Sequence, residues 1–409
     1  MKKTSDNHLL AIIHRIPYPP DKGDKIRSYQ EIRFLMEKGW KIHLCTFIDD
    51  PADARHVAFL SSKCATSSFV RLGKVKRYIS MIRSFIYGKP LSVGAFYSKT
   101  ALRYLQKVVL NYPISAVLCF SSQTAEYLFD DSIAAAKVRC VMDLVDVDSE
   151  KWRLYAERSS APLRWLYALE SKRLAAYEER IVGGFDAVTL VSDAEAALLK
   201  TRVKEKAKVH SVPNGVDTAY FHPYSGNDSG PKRNGCSLVF CGAMDYYPNV
   251  DAVVWFATEV LPKIRKRLGD VEFQVVGARP ARQVLDLEKH VGVKVLGRVD
   301  DVRPYVWDAS ISIASLRVAR GIQNKVLEAM AMAKPIVATE QAFEGIDAAP
   351  GHDMVVTNDH PDEFADAVVD LWNKPDKAED MGKCARKVVE DRYDWNARLE
   401  DLNGMLSGQ

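Results

Sequence analysis

The stretch of this sequence best suited to chemistry runs from Arg320 through Gly321, Ile322, Gln323, Asn324, Lys325, Val326 and Leu327 to Glu328, and continues as an apolar segment to Pro335. A glycine gives way here to a helix-forming run, and the first turn of a helix carries backbone N–H groups with no partner inside the helix. Such an end attracts phosphate and polar sugar oxygens. Lys325 and Arg320 add positive charge, and Glu328, one turn further in, is placed to accept hydrogen bonds from hydroxyls such as those of a ribose. A plain capped helix with charged residues near its start fits the same residues.

Two other places could hold reactive groups. Asp21-Lys22-Gly23-Asp24-Lys25 follows the first apolar run. In a doubly wound sheet Gly23 then lies at a strand's carboxyl edge, where ligands bind and a missing side chain permits close approach; a simple turn glycine is the alternative. Asp143, Asp146 and Asp148 sit at the end of another strand-like run, with a spacing that directs all three to one face. Burying such a cluster would be costly, so at least one should face a cleft. Asp146 is the candidate for positioning a substrate, against the option that these acids only cap the next helix.

The elements that must position these groups alternate between strand and helix. Leu9 to Ile16, a helical Lys25 to Lys38 stopped by Gly39, and Trp40 to Phe47 open the chain as a βαβ unit. Ala116 to Phe120, Arg139 to Val145 and Ala187 to Val191 continue as strands, with one long helical stretch from Ser149 to Ile181. A turn-rich Val212-Pro213-Asn214-Gly215-Val216-Asp217 and a polar stretch through Gly235 mark a domain boundary. A second series follows: Ser237 to Gly242, Glu272 to Gly277, Lys294 to Leu296, Ile311 to Ala314 and Ile336 to Ala338, then helices. This predicts an α/β protein of two Rossmann-like, doubly wound parallel-sheet domains, at 1–215 and 216–388, with a C-terminal helix at 389–409 crossing back to the first.

At 409 residues and 47% hydrophobic, the chain is long enough for two cores, with no short repeat or low-complexity tract. Its seven cysteines are scattered without a CxxC pair or a zinc-finger histidine spacing, and read as reduced packing residues. Met1-Lys2-Lys3 imitates a signal n-region, but the apolar run after it is too short. The longest uncharged stretch, Val108 to Ala125, is broken by Asn111 and Pro113 and fails as a membrane span. A cytoplasmic protein is expected. The net charge is only +4, yet 54–125 contains no Asp or Glu and eleven Lys and Arg. Within it Leu72, Val75, Ile79, Ile82 and Ile86 repeat at helical spacing beside Arg71, Lys76, Arg77 and Arg83. A basic amphipathic helix suits the anionic inner face of a plasma membrane, as a peripheral association. The stripe could equally pack on its own domain. Nucleic acid is not expected, because no aromatic interleaving accompanies the charge.

The 320–335 segment resembles the donor-binding motif of the large retaining glycosyltransferase family 4, of the two-Rossmann-domain GT-B class. VPNGVDTAYFHP resembles that family's interdomain crossover, and FCGAMDYYPNVDAVVWF its first C-domain strand and helix. VVGARP and LGRVDDVRPYVWDASISIASL resemble the strand ends around the base. RIPYPPDKGDKIRSYQEIRFLMEKGW and DLVDVDSEKWRLYAER are similar to sugar transferases associated with bacterial exopolysaccharide and PEP-CTERM export systems. The resemblance covers essentially the whole chain.

It implies transfer of a sugar, with retention, from a UDP- or GDP-sugar to a saccharide or lipid-linked saccharide, across a cleft between the domains. No tightly bound cofactor and no catalytic metal are expected, although three Asp could suggest one. Glu328 matches the second of two family Glu residues, the one on the ribose; Arg320 replaces the first. Val145 stands where a His often precedes Asp146. Relatives carry cations near the first C-domain helix, but Gly242 to Asn249 has none, so Lys325, Arg298 or Arg320 would neutralise the diphosphate. The implied binding set is Gly23, Gly242, Gly277, Arg298, Gly321, Ile322, Lys325, Val326 and Glu328. Asp146, Arg320 and Glu328 would act on the reaction. No GxGxxG follows a strand, which argues against an oxidoreductase. A GT-B nucleotide-sugar epimerase and a non-catalytic scaffold are the alternatives.

Overall fold

The structure, a computed structural model, describes residues 7–20, 22–134, 137–157, 159–224, 235–319 and 321–408. The chain forms two compact units, one of Met1–Pro213 with Arg398–Gln409, the other of Asn214–Ala397.

The first unit is built on a sheet of seven strands: β1 (His8–Ile13), β2 (Lys41–Ile48), β3 (Thr66–Arg71), β4 (Ile114–Phe120), β5 (Arg139–Val145), β6 (Ala187–Leu190) and β7 (Val209–Ser211). Their spatial order is β3-β2-β1-β4-β5-β6-β7, and every neighbouring pair is parallel. β1 and β4 are central and nearly continuous in apolar residues, as strands covered on both faces must be.

The second unit holds β8 (Cys236–Cys241), β9 (Val271–Val276), β10 (Val293–Gly297), β11 (Ile311–Ala314), β12 (Ile336–Thr339) and β13 (Val355–Thr357), in the order β10-β9-β8-β11-β12-β13, again all parallel. Helices cover both sheets, and Leu238, Phe240, Phe256, Phe273 and Met330 fill the second core. Each unit is a Rossmann-like, doubly wound domain.

Three strands escape the sequence patterns. β3 is an edge strand with small polar residues, and β7 and β13 span three residues each. The single helical stretch expected from Ser149 to Ile181 is two helices, Asp148–Glu157 and Leu163–Gly184, separated around Pro162. The last helix, Trp395–Ser407, begins in the second unit and ends in the first. Where the chain leaves and returns, its two passages run side by side: Val216 N–H donates to the Tyr393 carbonyl at 2.8 Å. A Cβ on Gly215 would come within 2.8 Å of that same carbonyl, so only glycine lets them approach. The polar stretch expected to follow this crossing includes 225–234, outside the described residues. Among the described residues no helix is long and apolar enough to cross a membrane.

Candidate functional site

In an open parallel sheet, ligands bind beyond the carboxyl ends of the strands where the winding order reverses. In the second unit that point lies between β8 and β11. The loop after β8 starts at Gly242, and the loop after β11 leads to the helix Asn324–Ala331, so the 320–335 segment is delivered to the switch point by topology.

Lys325 points across this crevice. Its Nζ donates to Asn249 Oδ1 at 2.5 Å and lies 4.3 Å from the Phe240 ring centroid. Asn249 Nδ2 donates in turn to the Ala243 carbonyl at 2.9 Å, which fixes its amide with the oxygen toward the lysine. One turn beyond Lys325 stands Glu328. Burial lowers the Lys325 ammonium to about 7, against the pull of Cys241 and Glu328. Burial likewise raises the Glu328 carboxyl to about 7, against the pull of Lys325. Both groups therefore exchange protons near neutrality, each held in a state that a charged ligand would change. A cavity of about 10 Å³ between Cys241, Lys325 and Glu328, backed by β11, has room for roughly one water.

The remaining expected residues fall around this centre in different ways. Gly321 has φ +65°, a left-handed turn suited to glycine, and its carbonyl accepts from the Gln323 side chain at 3.0 Å. Ile322 packs against the core, and Val326 is fully buried with its N–H donated to the Gln323 carbonyl, so both supply walls. Arg320 lies outside the described residues. Arg298 is exposed after β10, the edge strand two positions from β8.

Gly242 and Gly277 end β8 and β9, and their backbones touch. A Cβ on Gly277 would fall 1.6 Å from the Gly242 carbonyl oxygen. The absent side chain at 277 thus serves to bring two loops together. Gly277→Ala is expected to cost roughly 1–3 kcal/mol in thermal unfolding, and to displace the Gly242 loop that carries the rim of the crevice.

Two cations of the rim escape the sequence reading. Arg279, with φ +52°, pairs with Asp245 at 2.5 Å, and Arg317 holds Asp251 through two contacts of 3.0 and 2.6 Å. Each lies three residues past the end of its strand, β9 or β11, and that offset is the signal that would have found them.

In the first unit the order reverses between β1 and β4. There the His14 ring lies parallel to Phe120 at 5.8 Å and edge-on to Phe96 at 5.5 Å, with Nε2 3.4 Å from Asp24. Gly23 begins the helix Gly23–Glu37 beside it. His14 was not singled out in the sequence, where it reads as the end of an apolar run.

The three aspartates do not share a face. β5 shifts register between Asp143 and Val145, and Val145 takes φ +72°, a costly conformation for a β-branched residue. Alternation ends there. Asp143 turns into the core against Arg27 at 2.5 Å, Asp148 is half-buried and accepts from Ser122 Oγ at 2.8 Å, and Asp146 is the most exposed of the three although its carboxyl is still crowded by protein. Desolvation raises Asp146 to about 6, with Glu195 and Asp148 adding to it. Among the described residues the group spaced closely enough to hold a metal ion is His352, Asp353 and Cys384, which includes none of these acids.

Comparison with known proteins bears on what this arrangement serves. Residues 235–374 match the family model described as glycosyl transferases group 1. An uncharacterized 44.6 kDa protein in the cps region of Klebsiella pneumoniae is 20% identical over 395 residues, covering 94% of this chain and 96% of the relative. A D-inositol 3-phosphate glycosyltransferase of Paenarthrobacter aurescens is 25% identical, over 58% of this chain and 62% of that protein. The crystal structure of Anabaena HepE in complex with UDP and glucose superposes with a TM-score of 0.68 at 12% identity, covering 98% of this chain and 100% of HepE, and that likeness speaks for the fold. Together these matches support a glycosyltransferase of the GT-B class.

Proposed function

We propose that this protein transfers a sugar from a UDP- or GDP-sugar to a saccharide or lipid-linked saccharide with retention of configuration, in exopolysaccharide or other surface-glycan assembly. The second unit is the donor domain and the first meets the acceptor. The observation that carries this reading is the Lys325–Glu328 pair at the switch point inside the 235–374 match. Lys325 meets the departing diphosphate and Glu328 accepts from the ribose hydroxyls, while Asp146 orients the sugar or the acceptor. Catalysis then rests on positioning and on stabilising the charge of the leaving group, with no covalent nucleophile. The surface-glycan role takes support from the Klebsiella relative, which aligns over nearly its whole length and is described by its cps region. The His14 ring beside Asp24 lends the acceptor side a polar floor.

Thermal-shift measurements with UDP, GDP, ADP, dTDP and NAD test this directly. A selective rise with one nucleoside diphosphate, about 2.7 kcal/mol at 100 times its dissociation constant, is expected. A rise with NAD alone overturns the reading, and nucleotide-sugar turnover without any acceptor points to the epimerase. Glu328→Gln should weaken the effective nucleotide about 10-fold, because a neutral amide still accepts one hydrogen bond; titration of the variant with that nucleotide checks it.

A further inference from the structure

The helix Lys74–Ile86 is inside out. Its apolar stripe faces solvent: Val75, Ile79, Ile82 and Ile86 are 60 to 73% exposed. The side turned to the protein contributes Met81, which packs on the core, and the small polar Ser84. Ser84 is buried with its hydroxyl on the Pro90 carbonyl at 3.0 Å, and Gly94 lies so close that a Cβ there would fall 2.5 Å from Ser84 Cβ. Packing against its own domain is therefore served by the opposite face, and the apolar stripe is left uncovered.

A second element continues that surface. The first turns of Leu163–Gly184 expose Leu163, Trp165, Leu166 and Leu169, with Trp165 at 71%. The same helix is fastened to the end of Lys74–Ile86. Arg173 donates to the Phe85 carbonyl at 3.1 Å and lies 4.4 Å from the Phe85 ring centroid, while Glu170 accepts from the Leu91 and Ser92 N–H groups at 2.8 and 3.0 Å. Single exposed apolar side chains are ordinary, but two joined helices presenting large ones together mark an interaction surface.

Charge identifies the partner. Arg71, Lys74 and Arg83 stand exposed around the stripe, and no acidic residue occurs from 54 to 125. Two acids beside these elements are engaged internally, Glu126 with Lys89 and Glu170 with the Leu91 and Ser92 N–H groups. We infer that the exposed faces of Lys74–Ile86 and of the start of Leu163–Gly184 form one seat for an anionic lipid surface, apolar side chains entering the acyl boundary and the cations meeting headgroup phosphates. This rests on the proposed lipid-linked acceptor only for its purpose, since the surface binds without donor or acceptor.

The test uses the full-length protein and flotation with phosphatidylcholine vesicles, with and without roughly one-third phosphatidylglycerol. Binding to the anionic vesicles that weakens with salt is expected. The pair Ile79→Asp/Ile82→Asp should reduce it at least about tenfold without lowering the melting temperature, because both side chains are already in water. Lys74→Glu/Arg83→Glu should abolish the preference for anionic lipid. Trp165→Phe should still bind, yet lose most of the vesicle-induced blue shift of tryptophan emission. Equal binding by Ile79→Asp/Ile82→Asp, or equal binding to neutral vesicles, overturns the inference. So does a dimer in solution that this pair splits while vesicles are ignored, which would assign the face to a second copy. Nucleotide-induced melting shifts, read on the same samples, report on the donor domain separately: vesicle binding lost with that shift intact removes the seat and leaves the enzymatic reading standing.

Discussion

Lys325→Met is expected to reduce sugar transfer about 100-fold or more, and to remove the nucleotide-induced rise in melting temperature, without destabilising the free protein. The ammonium lies in the crevice, oriented by Asn249 and Phe240. Burial costs it so much that its titration falls to about 7. In the free protein the charge is an expense, and an apolar side chain of similar length relieves that desolvation cost. Glu328, already raised to about 7, simply keeps its proton in the variant. Activity and stability should therefore move apart. The pH dependence follows with a definite sign. Lys325 has a depressed folded value, so from about 7 up to its ordinary range the unfolded chain holds a proton that the native state has released, and stability from this group grows as pH rises through that window. On the proposed role of Lys325 toward the diphosphate, donor affinity runs the other way: binding about tenfold weaker near pH 8 than near pH 6 is expected. Lys325→Arg, if bound, should flatten that profile, since a guanidinium stays charged. Calorimetric titration across this range decides it.

Arg27→Met should have the largest effect on stability, about 3–5 kcal/mol, read from urea unfolding followed in the first unit. Arg27 is 1% exposed, with Nε at 2.5 Å from Asp143 and 3.2 Å from Glu31, and Nη1 on the Val212 carbonyl at 2.7 Å. It ties the first helix to β5 and to the point where the chain departs for the second unit. Its removal strands two buried carboxyls. Glu31→Gln is the contrasting control, at under about 1 kcal/mol. Burial and the neighbouring Asp143 raise the Glu31 carboxyl well above its ordinary value, which favours the protonated form that an amide imitates. With a raised folded value, its contribution is present at low pH and is lost as pH rises through that value; Glu31→Gln should remove this slope.

The fold was legible because its central strands are apolar runs with turn residues at their ends, and because the helix start at Asn324 carries glycine, cation and carboxylate within one short segment. What escaped depended on chain segments far apart in sequence. Lys325 and Asn249 are 76 residues apart, and no local pattern says that one orients the other. The Asp143, Asp146 and Asp148 trio misled because Asp143 and Asp146 are three residues apart, an offset that alternation sends to opposite faces, and the register shift and left-handed Val145 between them end the strand pattern. The Lys74–Ile86 stripe was visible at once, yet periodicity gives the spacing of a face and not its direction. The exposure of Val75, Ile79, Ile82 and Ile86 and the close approach of Gly94 to Ser84 show which side is inward.

The twin titrations at the crevice also have a calorimetric consequence. A site whose lysine and glutamate both stand near half-protonation at neutral pH must trade protons with the solvent when an anion enters. The heat of nucleotide binding will then include the ionisation heat of whatever buffer supplies them. Titrations in phosphate and in Tris should disagree in enthalpy while agreeing in affinity, and the slope of that disagreement counts the protons taken up at the Lys325–Glu328 pair.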